Sequence, residues 1–142
     1  MAKINLAITG CLGRMGRQLI KTAVKDRSVK IVSLTENTFL NKKISGIYLE
    51  KNSEKAFHNA HVIIDFTSPK CTFEVLKIAS KLKKKVVIGT TGFSKTEENH
   101  IKKFSNKISI LKAGNMSLGI NLLMFLTEIT SKTLGVNYLS KV

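Results

Sequence analysis

The chain has 142 residues, of which 43% are hydrophobic, so it is expected to form a globular domain with a real core and not a disordered segment. Its formal net charge of +15 makes nucleic-acid binding a rival function, but the lysines are scattered over every predicted helix and turn, and no aromatic residues alternate with them. We therefore predict a charged, solvated surface that attracts anionic cofactors and substrates, with no nucleic-acid partner and, since no apolar run reaches about 18 residues, no membrane span.

A glycine-rich segment follows the first predicted strand. Apolar residues 4–8 predict the strand, and residues 17–24 predict a helix. Between them lies the run Gly10-Cys11-Leu12-Gly13-Arg14-Met15-Gly16. A glycine turn before a helix N-terminus favours phosphate binding, because the first N–H groups of the helix are unpaired. Gly10 is expected to allow the tight turn, Gly13 the approach of phosphate oxygens, and Gly16 close packing of helix and strand.

The glycine spacing differs from the usual dinucleotide fingerprint. The fingerprint is G-x-G-x-x-G, whereas this chain has G-x-x-G-x-x-G. A second strand is predicted at residues 29–34, and Glu36 follows it, 20 residues beyond Gly16. An acidic residue at that distance accepts hydrogen bonds from the adenosine ribose of a dinucleotide. The alternative is that Glu36 is a solvated loop carboxylate.

The rest of the chain alternates between predicted strands and helices. In order, we predict an extended piece at 47–49, a short helix at 53–57, a strand at 62–66, a helix at 70–82, a strand at 86–88, a helix from 94 to about 104, a strand at 108–111 and a helix at 118–134. Ser68 followed by Pro69 is a typical helix start, and Ser94 with Glu97 matches a capping box. Within the helix at 70–82, apolar residues three apart predict a stripe that packs on the sheet: Phe73, Leu76, Ala79 and Leu82.

This alternation predicts a doubly wound parallel sheet of the Rossmann type, an α/β fold that binds NAD(P). We expect one domain over residues 1–136, since no linker composition interrupts it. Ligands of such sheets bind at the carboxyl ends of the strands. Five loops would lie there: Gly10–Gly16, Glu36-Asn37, Phe66-Thr67, Gly89–Gly92 and Ala113–Ser117.

Several residues in these loops have two interpretations. The turn Gly89-Thr90-Thr91-Gly92 offers amides and hydroxyls to the nicotinamide half of a cofactor, or it is a plain turn of small residues. Phe66 packs either on cofactor or on the core. Asn115 bonds either a carboxamide or its own backbone. The sequence leaves these alternatives open.

No catalytic set is visible in the sequence. The three histidines, His58, His61 and His100, are expected on the surface, and Asp65 ends a buried strand with no identifiable partner. No arrangement resembles a Ser/His/Asp triad or a metal-ligand set. The two cysteines, Cys11 and Cys71, have neither metal nor disulfide spacing, which favours free thiols and a cytoplasmic location.

Together, four motifs resemble those of the 4-hydroxy-tetrahydrodipicolinate reductase (dihydrodipicolinate reductase) family. They are Gly10–Gly16, Asp65-Phe66-Thr67, Gly89-Thr90-Thr91-Gly92 and Asn115-Met116-Ser117-Leu118-Gly119-Ile120-Asn121. The resemblance covers the nucleotide-binding domain of the family. It implies reduction of a cyclic dicarboxylate substrate by NADH or NADPH, on the route to diaminopimelate and lysine.

The resemblance also implies roles for individual residues. The pyrophosphate would be bound by Gly10, Cys11, Leu12, Gly13, Arg14 and Met15, and the adenosine ribose by Glu36. The nicotinamide side would be flanked by Gly89, Thr90 and Thr91, and the pocket would be closed by Ala113, Gly114, Asn115 and Met116.

The chain departs from the family pattern in three places. Asn37 stands where members that use NADPH often have arginine, which weakens the case for a 2′-phosphate site, although Arg14, Lys42 or Lys43 is an alternative partner for that phosphate. Gly114 replaces a common alanine or proline, so the hinge loop is expected to be looser. The chain ends at Val142, and residues 137–142 resemble the start of the substrate domain, which in the family carries paired histidines and a lysine. We therefore expect dinucleotide binding with little or no turnover by this chain alone, and homotetramers only for full-length members.

Two alternatives remain at this point. One is a different NAD(P)-dependent dehydrogenase domain on the same sheet. The other is a non-enzymatic module that binds nucleotides or polyanions.

Overall fold

The computed structural model describes residues 2–38 and 41–135, which form seven strands and five helices. The strands are β1 (Ile4–Thr9), β2 (Val29–Thr35), β3 (Lys43–Ile44), β4 (Ile47–Glu50), β5 (Val62–Asp65), β6 (Lys85–Ile88) and β7 (Ile110–Lys112). The helices are α1 (Arg14–Ala23), α2 (Glu54–Phe57), α3 (Pro69–Leu82), α4 (Lys95–Ser105) and α5 (Leu118–Leu134). The chain divides into two compact units, Met1–Lys112 and Ala113–Val142.

The seven strands form one sheet in the order β3-β4-β2-β1-β5-β6-β7. All neighbouring strands are parallel except the short pair β3 and β4. Strand β2 pairs with one edge of β1, and β5, which comes later in the chain, pairs with the opposite edge of β1. The predicted doubly wound sheet is thus confirmed, and the order reverses between β1 and β5, where such sheets bind ligands.

Two apolar layers cover the two faces of this sheet. Successive residues of a strand point to opposite faces, so Ala7 packs with one layer and Ile8 with the other. The larger layer joins the sheet to α2, α3 and α4, and includes Phe57, Ile63 and Leu76. The smaller layer lies under α1. Burial on both faces explains why the central strands are continuous apolar runs.

Serine side chains begin the predicted helices as expected. The Ser68 hydroxyl accepts a hydrogen bond from the N–H of Cys71 (3.5 Å), and Pro69 is the first residue of α3. In α4 the full capping box forms, because Ser94 bonds the N–H of Glu97 and the Glu97 carboxylate bonds the N–H of Ser94. These local signals fixed the two helix starts.

Other boundaries differ from the sequence-based expectations. Helix α1 begins at Arg14 and not at residue 17, because the glycine turn folds back so tightly that Gly13 already occupies the N-cap. The predicted stripe of α3 packs on the larger apolar layer as expected, because Leu76 and Ala79 are buried in it and Phe73 and Leu82 pack against it. The buried face also includes Thr72 and Val75, since a helix has 3.6 residues per turn.

The second unit contains the long apolar helix α5, whose predicted bounds are confirmed. Ser117 caps its N-terminus by accepting the N–H of Ile120 (3.4 Å), and Gly135 ends it. None of the residues of α5 is buried. In the described part of the chain, no helix has the length and apolar character to span a membrane. The predicted domain start at residues 137–142 lies outside the described residues.

The capping box of α4 provides a test of the local analysis. Ser94→Ala should lower the free energy of unfolding by about 1 kcal/mol, because the N–H of Glu97 loses its partner. Ser105→Ala, at the exposed end of the same helix, is the matched control and should change the free energy of unfolding little.

The Ser94 N–H and hydroxyl hold the pKa of Glu97 below its ordinary 4.5. This stabilisation is present above pH 4.5 and is lost as the pH falls through the lowered pKa, which denaturation at several pH values would show.

Candidate functional site

The glycine turn after β1 has geometry that only small residues allow. Gly10 has a φ of 64°, and a Cβ there would lie 2.7 Å from the Thr67 methyl group and 2.9 Å from the Phe66 carbonyl oxygen. At Gly16 a Cβ would overlap the Gly10 carbonyl oxygen and lie 2.7 Å from the Cα of Cys11. The first and third glycines are therefore required by the fold of the turn itself.

The middle glycine leaves the N-terminus of α1 open. Gly13 is the N-cap, its N–H donates to the Gly10 carbonyl oxygen (3.0 Å), and no side chain caps the helix. The first turn of α1 contains no acidic residue and begins with Arg14. By contrast, each of the other four described helices has a serine cap. Free N–H groups and a partial positive charge at this point suit a phosphate group.

A cleft of about 250 Å³ opens beside this turn, at the carboxyl ends of β1, β2 and β5. It is lined by Gly10, Gly13, Thr35, Glu36, Asn37, Asn52, Phe66, Thr67, Ser68 and Cys71. Both carboxylate oxygens of Glu36 are held by backbone: Oε2 accepts the N–H of Leu12 (3.2 Å) and Oε1 that of Asn37 (3.0 Å). The glycine turn and Glu36 are thus directly connected across 24 residues of chain.

Two buried polar atoms that line this cleft lack hydrogen-bond partners within the described residues. They are Oγ1 of Thr35, on a fully buried side chain at the end of β2, and Oδ1 of Asn52, just after β4. Buried polar atoms in folded proteins are normally paired. Unpaired acceptor atoms at the wall of a cleft suit a ligand that carries hydroxyl or amino groups, as the sugar and base of a nucleotide do.

A buried carboxylate lies on the other side of β1. Asp65 is fully buried, and its Oδ1 atom accepts hydrogen bonds from the hydroxyls of Thr9 (2.6 Å) and Thr67 (2.7 Å). Its Oδ2 atom accepts from the hydroxyls of Thr72 and Thr90 (3.1 Å). We call these five side chains the Asp65 network. No sequence motif indicated these partners of Asp65.

The turn after β6 is tied to the loop after β5. The Thr90 hydroxyl accepts the N–H of Thr67 (2.9 Å), and the N–H of Gly89 donates to the Asp65 carbonyl oxygen (2.9 Å). The Phe66 ring lies against Gly89 so closely that a Cβ would overlap it. Phe66 therefore packs on the backbone of Gly89 and also lines the cleft, so its contact with a cofactor stays a prediction.

The structure brings together several of the predicted site residues. Gly10, Gly13 and Glu36 line one cleft, and Gly89 and Thr90 are joined to the neighbouring loop through Asp65. Cys11 and Leu12 point into the apolar layer under α1, whereas Arg14, Met15 and Thr91 are exposed. Ala113, Gly114, Asn115 and Met116 belong to the second unit, where Asn115 Oδ1 accepts the N–H of Ser117 (2.8 Å). Their part in cofactor binding stays a prediction.

Both cysteines are held as neutral thiols. Burial raises the pKa of Cys11 to about 11, with a smaller contribution from the Glu36 carboxylate. Burial also raises the pKa of Cys71, whose sulfur accepts a hydrogen bond from Asn52 Nδ2 (3.2 Å). Since the thiolate is the reactive form, neither cysteine is suited to be a nucleophile at neutral pH.

Sequence reasoning missed four polar residues of this edge: Thr9, Thr35, Asn52 and Thr72. Thr9 and Thr35 shared one signal, a threonine at the end of a mainly apolar strand. The histidines are exposed, and among residues 2–38 and 41–135 no three His, Cys, Asp or Glu side chains form a group that could hold a metal ion.

The sheet unit is a nucleotide-binding domain of the dehydrogenase type, because its glycine turn and Glu36 stand where the strand order reverses and such domains bind their cofactor. The family described as "Dihydrodipicolinate reductase, N-terminus" matches residues 4–116. The chain therefore belongs to the dihydrodipicolinate reductase family, as the motifs predicted.

Two curated relatives agree with this assignment, and one solved structure shares the fold. The chain is 66% identical to 4-hydroxy-tetrahydrodipicolinate reductase of Pelagibacter ubique, over 100% of this chain and 55% of the relative. It is 39% identical to the enzyme of the same name from Buchnera aphidicola, over 94% of this chain and 54% of the relative. Dipicolinate-bound dihydrodipicolinate reductase from Paenisporosarcina sp. TG-14 shares the fold, with a TM-score of 0.77 at 22% identity, over 91% of this chain and 54% of that one. The chain thus spans about half the length of the curated relatives it matches.

The third glycine of the turn offers a test of its packing. Gly16→Ala should lower the free energy of unfolding by about 1–3 kcal/mol, because the new Cβ overlaps backbone that cannot move freely. Gly13→Ala is the matched control. It has an ordinary φ of −67° and a Cβ position 3.2 Å from the Gly10 oxygen, so it should cost less than about 1 kcal/mol. Equal losses in urea denaturation would contradict this account of the turn.

Proposed function

We propose that this chain is the dinucleotide-binding part of a 4-hydroxy-tetrahydrodipicolinate reductase and that it binds NADH or NADPH at the carboxyl edge of its sheet. The observation that carries the proposal is the uncapped N-terminus of α1. Its N-cap residue, Gly13, lies beside a cleft that is also lined by Glu36 and by Thr35, whose hydroxyl is unpaired. An anion site and a ribose site are thereby adjacent, as a dinucleotide requires.

Each part of the cofactor has proposed partners in this chain. The pyrophosphate is bound by the backbone from Gly10 to Met15. Glu36 accepts hydrogen bonds from the adenosine ribose, and its two backbone contacts fix the carboxylate for this purpose. The nicotinamide side is flanked by Gly89, Thr90 and Thr91. Closure of the pocket by residues 113–116 remains part of the proposal.

The tasks of the proposed reaction are divided between the part of the relatives that this chain matches and the part that it does not match. Bound NADH or NADPH supplies the hydride that reduces the cyclic dicarboxylate substrate. The residues of this chain bind the cofactor and orient it. We assign the binding of the substrate carboxylates and the donation of a proton to the half of the relatives that this sequence does not match. Little turnover is therefore expected from these 142 residues alone, and the homotetramer of the family remains a prediction.

We further propose that the site prefers NADH to NADPH. Among the described residues, those that line the cleft include no lysine or arginine, and Asn37 follows Glu36. A 2′-phosphate on the ribose would lie beside the Glu36 carboxylate, and sites for NADPH usually supply an arginine there. Repulsion between the two anions disfavours NADPH despite the net charge of +15.

Cofactor preference tests the role of Glu36. The chain should bind NADH roughly tenfold more tightly than NADPH, the equivalent of about 1.4 kcal/mol. Glu36→Gln should weaken NADH binding and bring the two affinities close together, because it removes the carboxylate that favours ribose hydroxyls and repels phosphate. Calorimetric titration with both cofactors measures the ratio.

Glu54→Gln is the control for this change. Glu54 pairs with Lys81 on the surface of α2 and α3, so the variant has the same change of charge away from the cleft. It should keep the wild-type ratio. A Glu36→Gln ratio equal to that of wild type would show that Glu36 does not select the cofactor.

Binding itself is tested at the middle glycine. Gly13→Ala should retain the fold but weaken NADH binding about tenfold or more, because a methyl group at the N-cap keeps phosphate oxygens from the N–H groups of α1. Circular dichroism verifies the fold, and calorimetry measures affinity. Full NADH affinity in Gly13→Ala would place the pyrophosphate elsewhere, and no NADH binding by wild type would end the proposal.

The net charge of +15 favours one second candidate, a module that binds polyanions. Its signature would be binding to duplex DNA that weakens steeply with salt, together with no affinity for NADH. The same titrations at 50 and 200 mM salt distinguish the two functions, since binding to a defined cleft depends less on salt.

A further inference from the structure

The buried charge of Asp65 is balanced by hydroxyl groups alone. None of the ion pairs formed among residues 2–38 and 41–135 includes this carboxylate, and its side chain is fully buried. A buried carboxylate without partners is very costly, so each of its oxygens needs hydrogen-bond donors. Each oxygen has two, and all four come from threonine hydroxyls.

The carboxylate also fixes the direction of these hydrogen bonds. An ionised carboxylate only accepts, and a threonine hydroxyl has one hydrogen to give. The Thr90 hydroxyl donates to Asp65, and its lone pair therefore faces the N–H of Thr67, which lies 2.9 Å away. The charge on Asp65 thus sets the orientation of Thr90, and Thr90 in turn holds the loop after β5.

The four threonines belong to separate segments. Thr9 ends β1 directly before Gly10, and Thr67 lies against Gly10 through its methyl group. Thr90 lies in the turn after β6, while Thr72 is part of α3. Within the described residues, no hydrogen bond joins the glycine turn directly to the turn of Thr90. Asp65 and Thr67 connect them.

From this geometry we propose that Asp65 is a positioning residue, which holds the Thr90 turn in place relative to the glycine turn and thereby sets the nicotinamide side of the cofactor site. The proposal rests on the proposed function, because it assumes that a dinucleotide binds across these turns. It assigns no contact between Asp65 and the cofactor. Thr67 is the member of the Asp65 network that also lines the cleft with Glu36 and Thr35, whereas Thr9, Thr72 and Thr90 do not line it.

Two threonine variants form a matched test. Thr67→Val and Thr72→Val each remove one hydroxyl that donates to Asp65 and keep the shape of the side chain. Thr67 lines the cleft, whereas Thr72 lies in α3. Affinities for NADH and for ADP-ribose, which lacks the nicotinamide ring, are measured by calorimetry, and stability is measured by urea denaturation.

Wild type should bind NADH more tightly than ADP-ribose. Thr67→Val should reduce this preference severalfold, because the affinity for NADH should fall more than the affinity for ADP-ribose. Thr72→Val should lower stability without changing the preference, because its hydroxyl belongs to α3 and joins Asp65 to the Ser68 carbonyl oxygen (3.1 Å), not to either turn. An equal loss of preference in both variants, or no loss in either, would overturn the proposal, since the network would then be merely structural.

Asp65→Asn tests the carboxylate itself. An amide has one acceptor oxygen, so in either orientation its NH₂ group faces two of the four hydroxyl hydrogens. The NADH preference should fall about tenfold, as expected for loss of hydrogen bonds to a charged group. If Asp65→Asn does not fold, the comparison of Thr67→Val with Thr72→Val decides whether Asp65 has a positioning role. Equal wild-type affinities for NADH and ADP-ribose contradict the positioning role, whereas wild type that binds neither contradicts the proposed function.

Discussion

The burial of one carboxylate without a cation constrains the whole functional edge of this sheet. Because Asp65 needs donors on both oxygens, hydroxyls from β1, from the loop after β5, from α3 and from the turn after β6 are held at fixed positions. Loops at the carboxyl ends of strands are usually the most mobile parts of an α/β domain. Here the Asp65 network holds the base of these loops, so the buried hydrogen bonds to Asp65 also help to shape the cleft.

The carboxyl edge of the sheet has a partial positive charge at the N-terminus of α1 and a negative charge at Glu36. The open N-terminus of α1 suits an anion, and Glu36 beside it suits hydroxyl groups. A serine at the position of Gly13 would stabilise α1, as serines do at the other described helices, yet it would fill the proposed anion site. Local stability is thus given up at α1 and kept elsewhere, the pattern expected where a helix end has a binding role.

Local signals predicted most elements of the fold correctly. Ser68 and Pro69, and Ser94 with Glu97, fixed helix starts because capping bonds form within four residues. The start of α1 was wrong because glycines at 10, 13 and 16 look like a loop until the turn is closed. The buried face of α3 was only partly predicted, since it depends on which side meets the sheet. Gly10, Gly13 and Glu36 were predicted as site residues, and they do line one cleft.

The sequence by itself determined the alternation of strands and helices, the fold class, the family and the residues of the glycine turn, because these follow from periodicity and from short motifs. Only the tertiary structure decided the partners of Asp65, the contact of Glu36 with Leu12 and the unpaired atoms of Thr35 and Asn52. The reason is distance along the chain. Thr9 and Thr90 meet at one carboxylate although 81 residues separate them, and only the side-by-side pairing of β1, β5 and β6 brings them together.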